Sequence, residues 1–74
     1  MKLYKIWQEV NNDYDTYDSA IVCAENEEEA KAIHPARSGG GYGWCDIKDV
    51  QVEYLGEAKE GLAKGVIIAS YNAG

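Results

Sequence analysis

Seventy-four residues with one stretch of core-forming side chains bound this protein to a single domain, residues 1–74, small enough to bury only about 60–65% of the surface its unfolded chain exposes. An apolar content of 46% excludes a disordered chain, and no apolar run reaches the length of a membrane span. Asp plus Glu number 13 against 7 for Lys plus Arg, and the net charge of −6 opposes direct binding to nucleic acid while favouring basic protein surfaces.

Residues 2–10, KLYKIWQEV, alternate as a strand does, with Tyr4, Ile6 and Val10 on one face and Leu3, Lys5, Trp7 and Glu9 on the other. The opening lacks an apolar stretch followed by a small-residue cleavage site, so a cytoplasmic location is expected. There Cys23 and Cys45 stay reduced. Residues 11–15, NNDYD, are turn formers, and TYDSAIVCA at 16–24 reads as a second strand, so a β-hairpin is expected.

A helix start follows at once. Asn26 is the expected N-cap and Glu29, three residues on, completes a capping box. Glu27, Glu28 and Glu29 occupy the first turn, where the positive end of the helix dipole favours carboxylates. Ala30 and Ile33 should face a sheet, and His34–Pro35 ends the helix after about two turns. Residues 36–43, ARSGGGYG, are rich in glycine and read as a flexible loop. Asp46 to Asp49 read as a turn. VQVEYL at 50–55 alternates strictly, with Val50, Val52 and Tyr54 sharing a face. Leu62 would anchor the next connection. GVIIASYN at 65–72 has the longest β-branched run and no charge, which places it centrally with both faces buried. The first strand, in contrast, is an edge candidate that carries Trp7. The order β-β-α-β-β predicts an α+β fold: a four-stranded, mostly antiparallel sheet with one short helix on one face.

Few residue groups offer chemistry. Asp13, Asp15 and Asp18 fail the calcium-loop spacing, because Tyr17, Asp18 and Ala24 fall where an oxygen ligand, a glycine and a bidentate glutamate are needed. Cys23, His34 and Cys45 are scattered and contain no Cys-x-x-Cys pair, so neither a metal site nor a cysteine nucleophile is expected. No cofactor motif is present. Arg37, Tyr42 and Trp44, set among glycines, could grip a phosphate and stack a base, although the loop matches no phosphate-binding fingerprint. Tyr42 and Trp44 equally suit a protein contact. Glu25, Glu27, Glu28 and Glu29, joined with Asp13, Asp15 and Asp18 at the hairpin, would make one acidic patch that mimics a phosphate backbone.

The opening KLYKIWQEVNNDYDTYDSAIVCAENEEEAKAIHP, the YLGEA after the third strand and the closing GVIIASYNAG together resemble a group of small proteins encoded by bacteriophages and prophages. The resemblance implies a genomic setting rather than a reaction, and it carries over no catalytic or binding residue. The layout of a small sheet with one helix is also similar to some phage anti-CRISPR proteins. The resulting expectation is a non-enzymatic accessory protein, a monomer or homodimer, that binds and inhibits a host protein complex such as a nucleic-acid-binding defence nuclease. Its partner-binding residues would be Asp13, Asp15, Asp18, Glu25, Glu27, Glu28, Glu29, Tyr42 and Trp44. The alternative is a nucleotide-binding or sequestering protein that uses Arg37, Tyr42 and Trp44.

Overall fold

The computed structural model describes residues 1–10, 16–36 and 43–72. Strands β1 (Lys2–Trp7) and β2 (Thr16–Ala24) lead into helix α1 (Glu27–Lys31). A 3-10 turn (Ile47–Asp49) then precedes strands β3 (Gln51–Glu57) and β4 (Gly65–Asn72). The strands form one sheet in the order β3-β1-β2-β4, and every neighbouring pair is antiparallel. This is the α+β layout that the alternation of the sequence implies, with a helix of only five residues.

One face of the sheet holds the core. Tyr4 and Ile6 of β1 stand opposite Val22 and Ala20 of β2, and all four are buried together with Ala24, Ala30 and Val50. Small side chains at Ala20, Ala24 and Ala30 let the helix approach the strands closely. The helix is too short to be stable alone and is held by this contact. It covers only part of the face. Ile33 and then Trp44, Cys45 and Val50 continue the cover, so the second layer is mainly a non-helical strap. Tyr17 N–H donates to the Gly43 carbonyl at 2.7 Å and pins the strap to the start of β2.

The opposite face has no second layer among the described residues. Cross-strand partners form a row running Glu53, Lys5, Ile21, Ile68 across all four strands. Beside it the Lys5 ammonium lies 5.3 Å from the centre of the Trp7 ring. Cys23 is the buried exception on this face, with its thiol 3.9 Å from the Met1 sulfur.

Four features differ from the sequence expectation. First, β1 stops at Trp7 rather than running to Val10, which is 63% exposed. The cause is Gln8, which is buried. Its amide nitrogen donates to the Tyr17 carbonyl at 3.1 Å, and its amide oxygen accepts from Val10 N–H at 2.8 Å. One side chain thus replaces the next rungs of the ladder. Second, β1 is a central strand and not an edge. Third, β4 is an edge strand and not a central one: among the described strands only β2 pairs with it, and Ile67 and Ile68 are exposed. Leu62 also fails to act as an anchor and lies at the surface.

A bulge between Leu3 and Tyr4 shapes the other edge. Leu3 pairs with Gly56 and Tyr4 with Tyr54, leaving Leu55 as the extra residue. Gly56 takes φ of 153° there, a conformation that side chains rarely adopt. The helix start forms as the sequence implies. Asn26 Oδ1 accepts from Glu29 N–H at 2.9 Å, and Glu29 Oε1 accepts from Glu25 N–H at 2.9 Å. The second bond reaches one residue further back than in the usual reciprocal box.

Replacing Gln8 by Ala strips the Val10 amide of its acceptor and the Tyr17 carbonyl of its donor. It should cost about 1–3 kcal/mol in urea unfolding. Asn26→Ala should cost about 1 kcal/mol. A Gln8→Ala protein as stable as the parent would show that this side chain does not hold the hairpin.

Candidate functional site

The exposed carboxylates at the start of α1 make the best-defined surface feature. Glu25, Glu27 and Glu28 are exposed, whereas Glu29 is used internally. Its carboxylate caps the Glu25 amide and pairs with Lys64 Nζ at 3.3 Å. These bonds, the Glu25 N–H first and then Lys64, hold the Glu29 carboxyl below its ordinary value. Glu29 is therefore a tie between the helix start and the segment leading into β4.

The neighbouring sheet edge extends this surface. Glu27 borders a shallow depression with Lys2, Tyr4 and Tyr54. Tyr54 is 51% exposed, packs edge-on to Tyr4 at 5.8 Å between ring centres, and donates its hydroxyl to Glu57 Oε2 at 2.6 Å. That carboxylate, ahead of a small burial effect, raises the Tyr54 hydroxyl above its usual range. An exposed aromatic ring rimmed by Glu27 and Glu57 is the arrangement that protein contacts favour, because a rigid ring contributes area while the rim sets charge. The sequence reading grouped Tyr54 only with Val50 and Val52 on one face and did not single it out as exposed; it lies at the outer edge of the sheet.

The other residues singled out in the sequence separate from this surface. Asp18 sits in the bulge of β2 between the Tyr17 and Ser19 pairs, seven residues before Glu25 along the strand. At about 3.3 Å per residue the two are roughly 20 Å apart. Asp18 therefore stands apart from the carboxylates at the start of α1. Asp13, Asp15, Arg37 and Tyr42 lie outside the described residues. Trp44 is half-buried and packs against the core.

Among the described residues no three His, Cys, Asp or Glu side chains come together as a metal site, and no helix is long and apolar enough to cross a membrane. Cys45 packs against the core, and burial, followed by the charge of Asp49, pushes its thiol up, away from the reactive thiolate. His34 Nδ1 accepts from Ala36 N–H at 3.0 Å, which leaves the ring proton on Nε2. That Nε2 is buried without a hydrogen-bond partner. It lies beside a shallow open groove bordered by Ile33, Ala36, Lys64, Val66 and Ile67. Comparison with protein-family models, curated proteins and solved structures gives no match for this chain.

Two tests follow from these environments. The two thiols should react with an aromatic disulfide reagent near neutral pH more slowly than free cysteine, and rapidly only in denaturant. A fast native thiol would contradict the placement of Cys23 and Cys45. The lowered Glu29 carboxyl contributes stability above 4.5, its ordinary value, and loses that contribution as pH falls through the folded value. In Glu29→Gln the acid loss of stability should accordingly be shallower, as measured by melting temperature against pH. An identical acid profile would exclude this contribution.

Proposed function

We propose that this protein is a non-enzymatic accessory protein that binds and inhibits a host protein complex, and that the end bearing Glu25, Glu27 and Glu28 makes the contact. The carrying observation is the division of roles at the start of α1. Glu29 supplies the cap and the Lys64 pair, while three further carboxylates stand exposed around it, next to exposed Tyr54 and Glu57. Such an end suits a basic, phosphate-binding channel: carboxylates take the place of phosphate oxygens and the ring supplies apolar contact. The resemblance to phage-encoded proteins, and the layout similar to some anti-CRISPR proteins, point to a defence nuclease as the kind of complex bound. The alternative nucleotide site needs Trp44 available for stacking, and its packing against the core favours the first reading.

The test is capture from a bacterial host lysate with tagged protein at about 50 and 300 mM salt, a range over which exposed charges become screened. A stoichiometric complex with a basic nucleic-acid-binding protein is expected at low salt and should be depleted at high salt. Replacing Glu25, Glu27 and Glu28 together by Gln should weaken capture at least tenfold while the protein stays folded by circular dichroism. Equal capture by the triple variant, with the same salt dependence, would overturn the reading.

A further inference from the structure

At one end of the open sheet face two sulfur atoms stand together. The Cys23 thiol lies 3.9 Å from the Met1 thioether. Cys23 is fully buried, whereas Met1 is 42% exposed. Met1 is tied in place: its carbonyl accepts from Ala58 N–H at 3.0 Å, just past β3, and β1 begins at the next residue. Leu3 is the register partner of Cys23, so Met1, two residues before Leu3, falls on the same face as the thiol. Gly65 is the partner of Cys23 on the other side, and a Cβ added there would meet nothing within 4 Å. The pair therefore has room beside it.

We propose that Met1 and Cys23 bind a Cu(I) ion between their sulfurs. A thiolate and a thioether are both soft donors, the class that selects Cu(I). The spacing fits one bridging ion. Two sulfurs each bonded to a metal at about 2.3 Å stand at most roughly 4.6 Å apart, and the 3.9 Å found here lies within that span. Zinc fits the pair poorly. Its structural sites close with four ligands drawn from Cys, His and carboxylates, and among the described residues no three of these come together. Cu(I) accepts lower coordination and takes a thioether readily. Cys45 packs against the core on the opposite side of the sheet, away from Met1.

The difference in exposure gives each sulfur a task. The ion meets the Met1 thioether first, because that side chain reaches solvent. It then passes to Cys23, where the S–H bond breaks, a Cu–S bond forms and one proton leaves to solvent for each ion bound. Copper stays Cu(I) and neither sulfur is oxidised. With Cys23 buried beneath Met1, the bound ion is shielded from water.

The test is anaerobic titration of the full chain with Cu(I) against a chromophoric Cu(I) chelator, with proton release followed in weak buffer. One ion per chain and one proton per ion are expected. Cys23→Ala should weaken binding at least tenfold with the circular dichroism kept, and Cys45→Ala should leave binding unchanged. The chain contains a single Met, so growth on norleucine removes only the Met1 thioether while keeping the length of the side chain. That protein too should bind at least tenfold more weakly. If Cys23→Ala does not fold, selenium-edge X-ray absorption of the selenomethionine protein carries the test, and should show copper bonded to selenium. No binding against the chelator overturns the proposal. So does binding that survives in the norleucine protein or in a folded Cys23→Ala, or a selenium atom without a copper neighbour.

Discussion

The structure depends on one packed surface, the face where Tyr4 and Ile6 of β1 meet Val22 and Ala20 of β2. Burial of apolar area there is the main favourable term available to a chain this small. Everything on the other side of the core is arranged to cover it: Ala30 from a five-residue helix, Ile33 just after it, and Trp44, Cys45 and Val50 from the strap. None of these segments is stable by its own hydrogen bonding. Glu29 is consequential for the same reason, since it fixes the start of the helix and the entry to β4 through a single carboxylate.

This arrangement explains why the surface residues separate as they do. A strap that must seal the core cannot also offer its large side chains freely, and Trp44 is used for sealing. Tyr54 is exposed instead, at the outer edge of β3, where no strand among the described residues covers it. The acidic residues follow the same logic. The N-terminus of α1 takes carboxylates because the helix dipole favours them, and only one of the four from Glu25 to Glu29 is needed for the cap.

Much of this was legible in the chain. The alternation of residues 2–7 and 50–54 and the Asn26–Glu29 cap encode local geometry, which periodicity and capping rules read well, whereas the helix ends at Lys31, short of the stop expected at His34–Pro35. Strand order was not legible. Nothing local distinguishes a strand with two neighbours from one with one neighbour, so β1 with its lysines read as an edge and uncharged β4 read as a centre. Gln8 escaped because a buried side-chain amide that bonds backbone on two segments looks, in sequence, like any polar residue of a strand. Sequence adjacency also hides distance: a nine-residue strand separates Asp18, near its start, from Glu25, just past its end.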